Sequence, residues 1–233
     1  MHGSARCGTL YRRVQTLIPW IPEDTLDFPD VTEALDDPNG LLCAGGDLSP
    51  ERLKLAYSRG IFPWFSDGEP ILWWSPDPRL ILEPTAFRFR RSLKQSIKKH
   101  AFEIRINTCF QDLIHLCAST RANREGTWIT NAMAKAYLAL HEEGAASSFE
   151  VFSNNRLIGG LYGVKIGRVF FGESMVSLVP DASKAALAKL CQEADSHRVE
   201  LIDCQIPTSH LHSLGASLIT RKEFIERITI LTL

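Results

Sequence analysis

Apolar residues follow a helical spacing up to residue 144 and an alternating spacing after residue 149. Between residues 49 and 60 they recur at intervals of three and four, which is typical of a helix with one buried face. Ser49 suits the N-cap, Pro50 suits the first turn, and Gly60 is a stop signal. The pattern therefore predicts a helix in this segment.

Further stretches before residue 145 also predict helices. Residues 88–100 suit a short helix with Ser92 as its cap. Residues 131–144 suit a longer helix that has Asn131 as its cap and Gly144 beyond its end. Between these two, four apolar residues form a helix stripe: Phe110, Leu113, Ile114 and Cys117. We therefore expect the chain before residue 145 to be rich in helices.

From residue 149 the alternating pattern predicts three antiparallel strands, which are joined by tight turns at 154–155 and 165–167. Three glycines lie inside this strand pattern: Gly159, Gly160 and Gly163. Glycines at such positions predict a bulge or a close approach of two backbones. They do not form the GxGxxG sequence, so a dinucleotide-binding loop is excluded.

The C-terminal part continues with a helix, an apolar strand over 199–206, a second helix and a last strand. Thr220 and Glu223 match a capping box at the start of the second helix. Helices, an antiparallel meander, and then alternating helices and strands predict a mixed α/β (α+β) fold. We expect a small N-terminal domain, 1–80, and a larger C-terminal domain, 81–233.

Charge is distributed unevenly in a chain whose net charge is only −1. Near neutrality means that any nucleic-acid binding requires a local patch. Residues 88–99 supply one, with no acidic residue among six basic ones: Arg88, Arg90, Arg91, Lys94, Lys98 and Lys99. This basic cluster is either a solvated helix face or a surface that contacts phosphate groups.

Cysteine spacing and hydropathy indicate the cellular compartment to expect for the protein. The six cysteines form no CxxC pair and no Cys/His ligand spacing, so we expect reduced thiols in a cytoplasmic protein without a zinc site. No apolar run reaches the roughly 18 residues of a membrane span. The first 19 residues contain three arginines but no apolar signal core, so we expect an N-terminal extension there.

Polar residues inside apolar strands are the candidates for chemistry. Asp203 and Gln205 lie two apart in the strand 199–206, so their side chains are expected on one face. Because buried polar groups need partners, they form either a structural pair or a couple that positions a nucleophile. Glu173 ends an aromatic strand, where it either closes a pocket or bonds to nearby backbone. Cys204 is expected on the opposite strand face, which argues against a Cys–His nucleophile with His210 or His212.

Three of the five tryptophans, Trp64, Trp73 and Trp74, lie in the Pro- and Gly-rich stretch 60–78. Its prolines argue against a core strand. So many rings are also unusual in a solvated loop. The stretch is therefore either a packed corner of the fold or a platform for an apolar or aromatic ligand.

Several segments, in the same order, resemble the leucyl/phenylalanyl-tRNA–protein transferase family. They are PNGLLCAGGDLSPERLKLAYSRGIFPWFSDGEPILWWSPDPR at 38–79, followed by EGTWIT, GGLYGV, FFGESM, ASK, LIDCQ and SLGA. The resemblance covers about residues 25–220, and its first segment is the most specific because it combines many Trp and Pro positions. The chain ends at Leu233, where members of this family usually continue.

This resemblance implies an enzyme that takes Leu, Phe or, less well, Met from aminoacyl-tRNA. The amino acid is added to the N-terminal Arg or Lys of an acceptor protein, which marks that protein for N-degron proteolysis. The resemblance also implies a small N-terminal α/β domain and a C-terminal domain similar to GNAT acyltransferases. A monomer without metal or organic cofactor is expected.

The resemblance also implies roles at the matching positions. Asp203, Gln205 and Glu173 are the catalytic candidates, with Asp203 orienting the amine and Gln205 holding that arrangement. The apolar pocket for the transferred side chain is lined by Leu161, Phe170, Met175, Leu187 and Ile202. Single-stranded tRNA ends stack on aromatic rings, here Tyr57, Trp64, Trp128 and Tyr137. The basic cluster is expected to contact the tRNA phosphates.

Two other classes of protein remain open on the residues alone. An acyl-CoA-dependent acyltransferase would fit a GNAT-like half, although the segment 171–183 lacks a Gly-rich pyrophosphate loop. A non-catalytic RNA-binding module would use the same rings and basic cluster. It would leave Asp203 and Gln205 without a role.

Overall fold

Two β-sheets of unequal size organise residues 18–122 and 129–233, the residues that the computed structural model describes. The smaller sheet has the order β1-β2-β4-β3 and consists of β1 Trp20–Ile21, β2 Leu41–Gly45, β3 Phe62–Pro63 and β4 Leu72–Trp74. The larger sheet has the order β11-β5-β10-β9-β8-β7-β6. Its strands are β5 Arg79–Leu82, β6 Glu103–Ile106, β7 Ala146–Ser153, β8 Arg156–Ile166, β9 Val169–Ser177, β10 Leu201–Gln205 and β11 Ser217–Ile219.

Helices lie between and beside these sheets. They are α1 Pro50–Ser58, α2 Arg91–Lys99, α3 Phe110–Ala122, α4 Asn131–Glu142, α5 Ala182–Gln192, α6 Ser209–Ser213 and α7 Arg221–Leu231, with 3-10 helices at Val31–Glu33 and Pro84–Ala86. The predicted mixed α/β (α+β) architecture is confirmed. In the described ranges, no helix combines the length and apolar character that crossing a bilayer requires. The predicted N-terminal extension and Trp128 lie outside those ranges.

Side-chain caps begin helices α1 and α4, both of which the sequence predicts. Ser49 caps α1 as predicted, because its Oγ accepts the backbone N–H of Arg52 at 3.4 Å. The predicted cap of α4 is wrong by one residue. Thr130 holds that position instead of Asn131, and its Oγ1 accepts the N–H of Met133 at 3.2 Å. Both residue types cap helices well, so the spacing alone did not decide between them.

The start of helix α2 and the C-terminal end of helix α7 also differ from the sequence prediction. Helix α2 follows Arg90, which is extended, so Ser92 lies inside the first turn and does not cap the helix. Thr220 caps α7 as predicted, accepting the N–H of Glu223 at 3.2 Å. The predicted last strand is wrong because α7 continues to Leu231, and β11 precedes the helix.

Strands β7, β8 and β9 form the predicted antiparallel meander. The turn at 154–155 has left-handed backbone at both asparagines, with φ of 50° and 58°. The pairing of β8 and β9 shifts register between Tyr162 and Gly163. A Cβ atom at Gly163 would lie 2.2 Å from the backbone oxygen of Phe171. Both the predicted bulge and the predicted close backbone approach are therefore confirmed.

One hydrophobic cluster joins the two sheets. It includes Phe62 and Trp73 of the smaller sheet together with Ile81, Phe171 and Phe224 from the rest of the chain. A second cluster packs α5 against the other face of the larger sheet. The boundary expected between residues 80 and 81 falls inside β5, the first strand of the larger sheet along the chain. Whether the two parts fold separately stays a prediction.

Candidate active site

A cavity of about 460 Å³ opens where strands β9 and β10 part. Their parallel pairing ends with Asp203 opposite Phe171. Residues 172–175 and 204–206, which follow this pair, line the two sides of the cavity, and residues 62–64 border it. The cavity volume lies within the range of small-molecule sites, about 300–1,000 Å³.

The apolar part of the cavity contains the residues that were expected to form a side-chain pocket. All five line it: Leu161, Phe170, Met175, Leu187 and Ile202. Other apolar lining residues were not predicted, among them Leu190, Cys204 and Leu211. The sequence spacing could have indicated two of these three. Leu190 lies one helical turn after Leu187, and Cys204 lies two strand positions after Ile202.

Glu173 is the carboxylate on the cavity wall. It is only 6% exposed. Oε1 accepts hydrogen bonds from the Tyr57 hydroxyl at 2.7 Å and from Gln205 Nε2 at 2.8 Å, and Oε2 accepts one from the Tyr137 hydroxyl. Burial raises the pKa of Glu173 to about 7, and the charge of Asp203 acts in the same direction. Glu173 therefore exchanges a proton near neutral pH.

Tyr57 and Tyr137 lie beneath Glu173 and not on the cavity wall. Both are 0% exposed, and their hydroxyls are 2.9 Å apart. Burial raises the pKa of both hydroxyls well above the ordinary value. Direct stacking of these rings on a substrate, as predicted, does not agree with this burial. They hold Glu173 in place as neutral hydrogen-bond donors.

Asp203 is fully engaged inside the protein. It is 0% exposed, and Arg79 binds both of its oxygens, with Nε to Oδ1 at 2.8 Å and Nη2 to Oδ2 at 2.7 Å. Asp203 also belongs to the lining of the cavity, so its predicted contact with an amine stays a prediction. Arg79 itself was not predicted from the sequence.

Gln205 reaches the cavity through an irregular backbone. Its φ is 60°, and the pairing of β10 with β5 shifts between Asp203 and Gln205. Asp203 Oδ1 accepts the backbone N–H of Gln205 at 2.9 Å. The two side chains both line the cavity but bind different partners: Asp203 binds Arg79, whereas Gln205 binds Glu173.

The three tryptophans of the stretch 60–78 divide into different environments. Trp73 is 0% exposed and donates from Nε1 to the Gly45 oxygen at 2.9 Å. Trp64 is 40% exposed and lines the cavity rim. Trp74 donates from Nε1 to the Trp64 backbone oxygen at 2.7 Å. The stretch is thus a packed corner that also presents one ring at the cavity.

Cys204 and His210 both line the cavity. Burial raises the pKa of the Cys204 thiol well above its ordinary value, so the nucleophilic thiolate is disfavoured. Burial also lowers the pKa of His210. Across the described part of the chain, no three His, Cys, Asp or Glu side chains are grouped as metal ligands would be.

The six residues of the basic cluster are all exposed. Among the ion pairs of residues 18–122 and 129–233, none involves them. Helix α2 is anchored near the cavity, because hydrogen bonds from Lys184 and from Ser96 of α2 lower the pKa of Asp181, which precedes α5. Helix α5 in turn supplies Leu187 and Leu190 to the cavity. The cluster therefore presents exposed positive charge beside the site.

Solved structures give low-scoring similarities. One is an aminoglycoside acetyltransferase from an uncultured soil metagenomic sample, with 15% identity, a TM-score of 0.39, and coverage of 57% of this chain and 89% of that chain. Another is a predicted acetyltransferase from Clostridium acetobutylicum, with 11% identity, a TM-score of 0.38, and coverage of 48% and 85%. Similarities at this level do not identify an activity.

Sequence relatives are much closer. The leucyl/phenylalanyl-tRNA protein transferase model matches residues 81–229, and the model of that protein's N-terminal domain matches residues 46–77. The leucyl/phenylalanyl-tRNA–protein transferase of Chromohalobacter salexigens is 53% identical over 90% of this chain and 82% of its own. That of Nitrosospira multiformis is 53% identical over 91% of both chains. The chain therefore belongs to the leucyl/phenylalanyl-tRNA–protein transferase family, an aminoacyltransferase family that uses aminoacyl-tRNA.

Proposed function

We propose that the protein transfers Leu or Phe, and less efficiently Met, from aminoacyl-tRNA to the N-terminal Arg or Lys of acceptor proteins. The transfer marks these proteins for N-degron proteolysis in the cytoplasm, and a monomer suffices for it. The observation that carries the proposal is the pairing, in one cavity, of an apolar pocket with a carboxylate whose pKa is about 7.

The apolar pocket receives the transferred side chain. Its walls are supplied by α5, β8, β9 and β10, through Leu161, Phe170, Leu187 and Ile202. Such a pocket accepts the unbranched Cβ of Leu, Phe and Met, whereas Val and Ile place an extra methyl group against a wall. One methyl group changes the transition-state energy by only about 1–3 kcal/mol, so the shape of the pocket has to supply the selectivity.

Trp64 and the basic cluster bind the tRNA end. Trp64 offers an exposed ring at the cavity rim, on which an unpaired base stacks. The cluster on and before α2 contacts phosphates upstream of that base. Both features are sequence-tolerant, which suits an enzyme that chooses its substrate by the amino acid that the tRNA carries.

Glu173 accepts the proton that the attacking amine must lose. The nitrogen of the acceptor forms a bond to the ester carbonyl carbon, the bond from that carbon to the ribose oxygen breaks, and one proton moves from nitrogen to that oxygen. A group with a pKa of about 7 takes and returns this proton better than an ordinary carboxylate would. Gln205 donates from Nε2 to Glu173, so its amide oxygen accepts an N–H of the amine and holds it in line.

The proposal is tested by following labelled Phe from Phe-tRNA to a peptide that begins with Arg. A matched peptide with an acetylated N-terminus serves as the control, and both are assayed with and without acyl-CoA. We expect label on the free Arg peptide alone, independent of acyl-CoA. Transfer that requires acyl-CoA, or that reaches the acetylated peptide equally, would overturn the proposed reaction. Glu173→Gln should slow the transfer without releasing the tRNA.

A further inference from the structure

Arg79 is a buried cation that is fixed on several sides. It begins β5 and is only 1% exposed. Its Cζ lies 4.8 Å from the ring centroid of Phe62 and 4.6 Å from that of Phe224, so aromatic faces flank the guanidinium plane. A bidentate ion pair with Asp203, at 2.8 and 2.7 Å, fixes the orientation of the guanidinium group between these rings. A planar fork held in this way has little freedom to rotate.

This fixed pair continues to the cavity through Gln205. Asp203 Oδ1 accepts the Gln205 backbone N–H at 2.9 Å, and Gln205 has a left-handed φ of 60°. Residues other than glycine adopt this conformation uncommonly, and Gln205 adopts it at a buried position. Because the Gln205 side chain contacts Glu173 at 2.8 Å, the backbone conformation at Gln205 decides whether its amide meets the amine and the proton acceptor together.

We propose that Arg79 is a positioning residue for the transfer step. Through Asp203 it holds Gln205 in the conformation that presents the amide to Glu173 and to the acceptor amine. This role rests on the proposed function of Gln205 and Glu173. Arg79 is not on the cavity wall, so it acts on the rate of transfer and not on the binding of aminoacyl-tRNA.

Arg79→Gln and Arg79→Lys are the first variants to assay. A misplaced catalytic group lowers a rate by about 100-fold, so we expect that loss of kcat in Arg79→Gln. The KM for Phe-tRNA should stay within about twofold of the unmodified protein's value, because the variant leaves the binding of Phe-tRNA unchanged. Arg79→Lys keeps the charge but not the fork, so it should recover only part of kcat. The matched control is Arg227→Gln, which breaks the exposed pair with Glu83 and should leave kcat unchanged.

Asp203→Asn and the double variant Arg79→Gln/Asp203→Asn separate positioning from folding. The double variant leaves no unpaired charge in the core, so it remains assayable if Arg79→Gln unfolds. If Arg79 acts through Asp203, the double variant should have the kcat of Asp203→Asn alone. Multiplying losses, or a wild-type kcat in Arg79→Gln, would overturn the inference. A wild-type kcat in Asp203→Asn would also overturn it, because Arg79 acts through Asp203. A wild-type kcat in Glu173→Gln would instead overturn the proposed function of Glu173 and Gln205.

Discussion

Two carboxylates share this site and differ in what surrounds them. Asp203 faces the guanidinium of Arg79, which matches its charge and its geometry. Glu173 is held by two hydroxyls and one amide, which are neutral donors. Neutral donors offset the loss of water only in part, so burial still raises the pKa of Glu173 to about 7. Different surroundings thus give the two carboxylates different partners: a guanidinium for Asp203 and neutral donors for Glu173.

The pH dependence of transfer should report this difference. Below pH 7 Glu173 is protonated and cannot accept a proton, so kcat/KM should rise as pH increases through about 7. The acceptor α-amino group, with a pKa of about 8, adds a second rise. In Glu173→Gln the rise near 7 should vanish and only the amine step should remain. Rates measured from about pH 5.5 to about pH 9 provide this profile.

Glu200→Gln is the matched control, because Glu200 forms an exposed pair with Arg168 at 2.7 Å. Its profile should follow that of the unmodified protein. If Glu173→Gln keeps the rise near 7, another group supplies that ionisation and Glu173 does not accept the proton.

Strand patterns located Asp203, Gln205 and Glu173, because buried polar residues stand out in apolar strands. They did not locate Arg79, which lies 124 positions from its partner Asp203. They also did not show that Tyr57 meets Glu173 across 116 positions, so a contact with substrate was expected for Tyr57 instead. A local pattern shows that a buried polar group needs a partner, but the partner is chosen by the three-dimensional packing.

At the scale of elements, the exposed face of helix α2 has two interpretations, a solvated surface or a phosphate-binding one. Leu93 is buried beneath it, and Ser96 binds Asp181, so one side of the helix is attached to the protein. The basic residues point outward, and Lys94 also packs over the Phe89 ring at 5.1 Å. A purely solvated face would tolerate charge reversal. A phosphate-binding face would not.

Reversing Arg91 or Lys98 should therefore weaken tRNA use. For Arg91→Glu and Lys98→Glu we expect the KM for Phe-tRNA to rise by about tenfold at low salt, with kcat nearly unchanged. The slope of log KM against log salt should decrease by about one for each phosphate-binding side chain that is replaced. Lys222→Glu changes an exposed lysine on α7 and should have neither effect. Equal responses in all three variants would show that only net charge matters.

Long elements were predictable and short ones were not. Helices α1, α4 and α5 and the meander extend over enough residues to show a period. Strands β1 and β3 contain only two residues each, which is too few for any alternation. Their place in the smaller sheet depends on pairing with β2 and β4, which are distant in sequence or joined by turns.

At the scale of the whole molecule, contacts cross between the two sheets in several places. The C-terminal helix α7 contacts the N-terminal part of the chain through Arg221. Its Nη1 donates to the backbone oxygens of Val31 at 2.8 Å and Ser75 at 3.0 Å. Phe224 of the same helix lies in the hydrophobic cluster with Trp73. These contacts favour one cooperative unit over two independent domains.

Trp73 and Trp64 provide the test, since they belong to one stretch and differ in burial. Trp73 packs edge-on against Phe28 at 4.9 Å inside the shared core, so Trp73→Ala should lower the free energy of unfolding by about 3–5 kcal/mol. Trp64 is 40% exposed, so Trp64→Ala should cost about 1 kcal/mol or less while raising the KM for Phe-tRNA. In calorimetry the protein should unfold in one transition, and Trp73→Ala should shift all of it. Two transitions, of which only one moves, would show instead that the part before residue 80 folds separately, as the sequence predicts.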